Sequence, residues 1–217
     1  MNRPNRLPAH IESILPAATQ NAWLRIIPAV PDHADLVGGT ALAVHFQHRI
    51  SRDLDFFCMA PFDPSGLEQV LRRAGDFEPI EIGAGTLNGV FEGTKVQFLD
   101  AQSQHPIEPA QTVAGLRVAG LTDLLAMKLK VIGDRGELRD YFDLMEIEKR
   151  TDHAVEEGIG YFLSRFQPRI PRSSVAHIAK ALTSFDDVLD DPGLPVPRAE
   201  IEEYWRKRQP LISFGID

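Results

Sequence analysis

The sequence predicts an α/β (α+β) protein with a mixed-sheet lobe over residues 1–118 and a helical lobe over residues 119–217. Three observations carry this expectation. Short apolar stretches with β-type alternation are confined to the first half, where Gly, Pro and Asn punctuate them. From Leu121 onward the apolar residues recur at helical spacing and keep to it. A chain of 217 residues with 43% hydrophobic and 25% charged content can bury a sizeable core, which sets aside disordered and fibrous classes. Two lobes sharing one cleft is the arrangement expected.

In the first half, Ile11, Ile14, Leu15, Ala18, Trp23 and Ile27 lie at helical spacing, so one helix is expected over residues 10–27 despite Pro16. "PAVPDHAD" breaks the chain before a short strand at Leu36 and Val37. Gly38 and Gly39 then form a turn. A helix over Thr40 to Gln47 follows, with Leu42, Ala43 and Phe46 on one side, and "RDLDFFCM" reads as the next strand. "DPSGLEQVLRRAG" reads as a helix stopped by Gly75. "FEPIEIGAG", "TLNGVFEG" and "TKVQFLDA" read as an antiparallel meander with "GAGTLNG" as hairpin punctuation. Five helix candidates complete the chain: "LTDLLAMKLKVI", "ELRDYFDLMEIEKR", "HAVEEGIGYFLSRF", "SSVAHIAKALTSFDDVLD" and "RAEIEEYWRKR".

A net charge of −8, from 23 basic and 31 acidic residues, argues against a broad electrostatic footprint for duplex nucleic acid. The local basic groups, Arg165, Arg169 and Arg172 and then Arg206, Lys207 and Arg208, read as solvated faces. No stretch resembles a membrane span or a secretory leader, so a cytoplasmic protein with no membrane partner is expected. The single cysteine, Cys58, excludes an intramolecular disulfide framework and reads as buried packing. His45 and His48 lack a third ligand nearby and read as surface or capping residues.

The chemistry concentrates in "LVGGTALAVHFQHRISRDLDFF", residues 36–57. Residues two apart on a strand face the same way, which puts the carboxylates of Asp53 and Asp55 on one face, about 6–7 Å apart at their Cα atoms. Two such charges repel unless a cation lies between them, and hard divalent ions select carboxylate oxygens. Upstream, Gly38 and Gly39 allow close approach to the backbone. The N–H groups opening the next helix form an anion site that the Thr40 hydroxyl could supplement. These pieces suit a triphosphate carrying Mg²⁺ or Mn²⁺. Neither GxxxxGK[ST] nor GxGxxG is present, which excludes Walker and Rossmann modes of phosphate binding.

A second constellation, "LTDLLAMKLKVIGDRGELRDYFDLMEI", adds Lys128, Arg135, Arg139, Asp140 and Asp143 on two successive helix candidates. Asp140 and Asp143 share a helical face, and Lys128 could reach the same cleft. A salt-bridged helical hairpin is the bland alternative.

A strand, GG[ST], a helix and a strand bearing Asp-x-Asp, in that order, resemble the opening of the DNA polymerase β-like nucleotidyltransferases. Together, "GGTALAVHFQHRISRDLDFF" (38–57) and "KLKVIGDRGELRDYFDL" (128–144) resemble the AbiEii/AbiGii toxin family of nucleotidyltransferases over about residues 36–145. The resemblance implies a polymerase β-like mixed sheet with a C-terminal helical lobe and transfer of a nucleotide from an NTP to an acceptor, in several cases an RNA such as tRNA. It also implies toxin activity checked by an antitoxin protein. By position, Gly38, Gly39 and Thr40 would bind phosphates, Asp53 and Asp55 the metal, and Lys128 the triphosphate. Asp140 and Asp143 would serve as a positioning or base pair, and Arg52, Arg135 and Arg139 complete the candidate nucleotide-binding set.

One position departs from the superfamily pattern. A third carboxylate is expected at the centre of an apolar-acid-apolar strand triplet, and here the triplet is "VQF", with Gln97 at its centre. Asp100 on a bulged strand, or Asp143, could take its place. Two rival readings follow: a catalytically weak binding or regulatory module, and a small-molecule nucleotidyltransferase of aminoglycoside type.

Overall fold

A computed structural model describes residues 6–212. The outer ends of both expected lobes, at residues 1 and 217, lie outside the described residues. The chain divides into two compact units: Met1–Gln104 with Pro109–Gly120, and His105–Glu108 with Leu121–Asp217.

The first unit opens with two helices, α1 (Ala9–Glu12) and α2 (Ala17–Ile26), in place of the single helix expected over residues 10–27. Pro16 is the reason: it has no N–H to donate, and it stands in extended conformation at the cap position before α2. Strand β1 (Ala34–Val37) leads into helix α3 (Gly38–Phe46), and β2 (Leu54–Cys58) follows. Helix α4 (Pro64–Ala74) starts with Pro64 in its first turn and Asp63 accepting from the amides of Ser65 and Gly66, and it ends at Gly75. The meander is β3 (Phe77–Gly83), β4 (Thr86–Phe91) and β5 (Thr94–Asp100), with Gly85 at φ +70° in the first hairpin. A further hairpin, β6 (Gln111–Val113) and β7 (Leu116–Val118), was not expected: at three residues each, its strands are too short for alternation to register.

Among the described residues, seven strands form one mixed sheet in the order β3-β4-β5-β2-β1-β7-β6. Antiparallel β1 and β2 are flanked by parallel neighbours, β7 beside β1 and β5 beside β2. Leu54, Phe56, Val96, Phe98 and Leu87 fill one face and are excluded from solvent. Phe56 and Phe98 stack across the β2–β5 step with ring centroids 4.8 Å apart. On the opposite face Asp55, Gln97 and Asn88 are half-buried. Burying one face and leaving the other polar is what positions the candidate site.

The second unit is helical: α5 (Leu121–Arg135), α6 (Leu138–Arg150), α7 (Val155–Phe166), α8 (Pro171–Ala181) and α9 (Arg198–Arg208). Helix α8 stops at Ala181, well short of the helix expected through residue 190, and "SFDDVLD" is irregular apart from a turn at Asp186 and Asp187. Gly158 lets α7 approach α5 closely, since a Cβ there would lie 2.7 Å from Leu129. The buried Asp123 carboxylate pairs with Arg165 and also accepts from the amides of Ile107 and Glu108, which fastens residues 105–108 to this unit. Among the described residues no helix is long and apolar enough to cross a membrane.

Cys58 is fully buried at the end of β2. Burial first, and then the nearby Asp100 and Asp35 carboxylates, push its thiol up to about 12. At pH 8 the folded protein therefore holds almost no thiolate. Ellman's reagent at pH 8 should leave the native protein unlabelled and react on addition of denaturant, and rapid labelling without denaturant would contradict this packing.

Candidate active site

The site in the first unit begins where β1 hands over to α3. Gly38 sits at φ +70°, a left-handed conformation that favours glycine, and a Cβ there would lie 2.8 Å from Asp55 Oδ2. On Gly39 a Cβ would collide with the Arg49 guanidinium. The two glycines thus leave room for a carboxylate and a guanidinium directly over the start of a helix. Neither side chain is without a partner, and Arg49 Nη1 donates to the Ile50 carbonyl at 3.2 Å.

Thr40 is buried, and its hydroxyl donates to the Asp53 carbonyl at 2.5 Å and shares a hydrogen bond with Ser51 Oγ at 2.7 Å. The hydroxyl expected to contact phosphate is therefore spent on holding the segment that carries Asp53. A phosphate at this turn would meet the backbone amides that open α3.

Asp53 lies one residue ahead of β2 and Asp55 within it, both half-buried. Asp55 stands opposite Val37 on β1 and Gln97 on β5. Gln97 therefore occupies the position beside Asp55 where a third carboxylate was expected. The β2–β5 register runs without a break from Leu54↔Val96 to Cys58↔Asp100, so no bulge brings Asp100 into the place of Gln97. Asp100 faces the other way and accepts from the backbone and side-chain nitrogens of Gln102 at 2.9 and 3.0 Å.

Arg52, a candidate nucleotide contact, is exposed, and its carbonyl accepts from Thr19 Oγ1 at 3.1 Å. Arg49 is the arginine at the glycine turn, and sequence reasoning missed it. The signal was present in "HRISRD", which holds two arginines, but spacing alone did not distinguish them. His45 is half-buried with Nε2 2.9 Å from the Ala119 carbonyl. His48, expected at the surface or as a cap, is buried edge-on to Phe46, because the chain turns inward after the left-handed Gln47.

Lys128, Asp140 and Asp143 come together in the second unit. Lys128 Nζ lies 2.7 Å from Asp140 Oδ1 and 2.6 Å from Asp143 Oδ2, and all three side chains are less than a tenth exposed. Asp140 also accepts from the Glu137 amide at 3.0 Å, closing the first turn of α6. Arg135 and Arg139 remain outside this cluster, and both pair with Glu137.

Among the described residues, no group of three or more His, Cys, Asp or Glu side chains forms a metal cage. Asp53 and Asp55 nonetheless fit Mg²⁺ or Mn²⁺, because such ions are commonly held by one or two carboxylates with water and substrate phosphates completing the shell. Their donor set is hard oxygen from two half-buried groups beside the glycine turn that opens α3.

Removing Lys128 would leave two buried carboxylates facing each other without a counter-charge. Lys128→Met should cost about 3–5 kcal/mol of stability in denaturant unfolding. Adding Asp143→Asn to that variant should recover a large part of the loss. An unchanged midpoint for Lys128→Met would contradict the buried ion cluster.

Residues 24–98 match the family model of the AbiEii nucleotidyltransferase toxins of type IV toxin–antitoxin systems. An uncharacterised protein of Aquifex aeolicus is 26% identical over 176 residues, covering 79% of this chain and 81% of its own length. The crystal structure of an H. pylori protein described as a candidate nucleotidyltransferase superposes with a TM-score of 0.57 at 18% identity, over 88% of this chain and 91% of that one. MenT4, a nucleotidyltransferase toxin from Mycobacterium tuberculosis H37Rv, gives 0.55 at 18% identity, over 96% and 88%. The chain thus has a nucleotidyltransferase fold and carries, over residues 24–98, the match to the AbiEii nucleotidyltransferase toxins.

Proposed function

We propose that this chain is a Mg²⁺- or Mn²⁺-dependent nucleotidyltransferase that moves NMP from an NTP to an RNA acceptor such as tRNA. In this reading it acts in the cytoplasm as the toxin of a type IV system, restrained by an antitoxin protein. The observation that carries the proposal is the closure of the Gly38–Thr40 turn onto the Asp53–Asp55 segment. There the Thr40 hydroxyl holds the Asp53 backbone, and Gly38 makes room for the Asp55 carboxylate.

In the proposed reaction the acceptor oxygen attacks the α-phosphorus. The bond to the bridging oxygen breaks, pyrophosphate leaves, and the acceptor proton passes to a base. Asp53 and Asp55 would hold the divalent ion, which when bound neutralises phosphate charge. The amides opening α3 would bind phosphate oxygens, with Arg49 as a further cation beside them. Lys128, with its ammonium between Asp140 and Asp143, would contribute to the triphosphate only by exchanging one of those partners. Arg135 and Arg139, paired with Glu137, are candidate contacts of the same kind. Such catalysis relies on positioning and charge neutralisation. With a net charge of −8, RNA would be gripped through local contacts and not by a broad basic surface.

A second reading has one observation in its favour. Gln97 beside Asp55 supplies no charge and cannot act as a base, as a catalytically weak binding module would show.

Incubation of the purified chain with each α-labelled NTP, Mg²⁺ and total RNA, beside Asp55→Asn, separates the readings. Label entering RNA with the wild type only is the expected result, and it would identify the nucleotide. Equal labelling by Asp55→Asn would overturn the assignment, and no labelling by either protein would favour the binding module.

A further inference from the structure

One rung of polar side chains runs across the sheet from Asp55, on the face opposite Leu54, Phe56, Val96 and Phe98. Gln97 on β5 is in register with Asp55, Asn88 on β4 with Gln97, and Glu81 on β3 with Asn88. In-register neighbours on adjacent strands share a face, and across antiparallel pairs such as β3–β4 and β4–β5 their Cβ atoms lie about 4.5–5.5 Å apart. The rung is therefore a continuous line of hydrogen-bonding groups that ends at a carboxylate assigned to the metal.

The orientation of its middle member is fixed by chemistry. Asn88 Nδ2 donates to Glu81 Oε2 at 2.7 Å, and the reversed amide would set two acceptors against each other. The other end of that amide, Oδ1, is shielded from solvent and accepts no hydrogen bond among the described residues. A shielded acceptor without a donor is unfavourable, and native proteins rarely leave one. The next side chain along the rung is Gln97, whose amide carries two N–H donors.

We propose that Gln97 Nε2 donates to Asn88 Oδ1 in the working site, which turns Gln97 Oε1 toward Asp55 and makes Gln97 a neutral oxygen ligand for the cation held by Asp53 and Asp55. This inference rests on the assignment of those two aspartates to the metal. Glu81 and Asn88 are then positioning residues: Glu81 sets the Asn88 amide, and Asn88 sets the Gln97 amide. Amide carbonyls are accepted ligands of hard cations, and they add coordination without adding charge. Two carboxylates match the charge of one divalent ion, so the rung completes the coordination of a single ion. A carboxylate at position 97 would need no such orientation, because its two oxygens are equivalent.

The test is Mn²⁺ binding in the absence of NTP and RNA, followed through the paramagnetic resonance signal of the free ion, with thermal unfolding of each variant recorded alongside. The wild type should bind a single ion. Asn88→Ala and Gln97→Leu should each weaken binding by about tenfold or more, the range measured for outer-shell partners of metal ligands. Gln97→Glu should restore binding, and in the Gln97→Glu/Asn88→Ala double variant the loss of Asn88 should no longer matter. Wild-type affinity in Asn88→Ala would overturn the inference, as would a double variant as weak as Asn88→Ala alone. Should Asp55→Asn remove Mn²⁺ binding while Gln97→Leu and Asn88→Ala do not, the rung fails and the metal assignment stands. Failure of the wild type to bind Mn²⁺, or unchanged binding in Asp55→Asn, would overturn both.

Discussion

The candidate site depends on one constraint, which is that the start of α3 and the approach to β2 must close on each other. Thr40 closes them with a buried hydroxyl on the Asp53 carbonyl, and Gly38 permits it by adopting a conformation that leaves space for the Asp55 carboxylate. The antiparallel β1–β2 pair sets the register of that closure, with Val37 opposite Asp55 at the point where β1 becomes α3. Parallel pairing of β2 with β5 then carries the register outward to Gln97. A slip of one residue would turn Asp55 into the core and Leu54 or Phe56 out of it, and the buried aromatic stack of Phe56 on Phe98 opposes that slip.

In the helical unit, charge does the work of specification. Lys128 from α5 is surrounded by Asp140 and Asp143 from α6, and Asp123 from α5 by Arg165 from α7. Such buried groups are costly to desolvate and contribute little net stability over a well-packed apolar core. Each charge left without its partner is strongly destabilising, so these pairs tie α5 to α6 and to α7. Lys128 thereby combines two roles in the proposed account, an anchor of the helical unit and a cation held in reserve by two carboxylates.

Much of this was legible in the sequence, and the exceptions have physical reasons. The glycine pair, Asp-x-Asp and the antiparallel meander could be read because each is a local pattern whose geometry follows from φ freedom or strand alternation. Asp140 and Asp143 could be placed on one face because helical periodicity is local too. The β6–β7 hairpin escaped because three residues per strand give alternation too little length, and β7 joins the sheet through β1, more than seventy residues away in sequence. Pro16 and the end of α8 show the same limit, since apolar spacing continued across positions where the backbone could not. Arg49 and the inward turn of His48 depend on the loop after α3, which no periodicity describes. Gln97 was visible as a departure from a pattern, but its alignment with Asn88 and Glu81 required the register of four strands.

In the proposed function the Gly38–Asp55 closure forms a site for a nucleotide and a divalent ion. This is tested most directly by thermal unfolding of the wild type and Asp55→Asn with and without NTP and Mg²⁺ together, because a ligand that binds only the folded state raises its melting temperature by mass action. The wild type should show a concentration-dependent rise that requires both NTP and Mg²⁺ and is lost in Asp55→Asn. An equal rise in both proteins, or none in the wild type at saturating NTP and Mg²⁺, would contradict it.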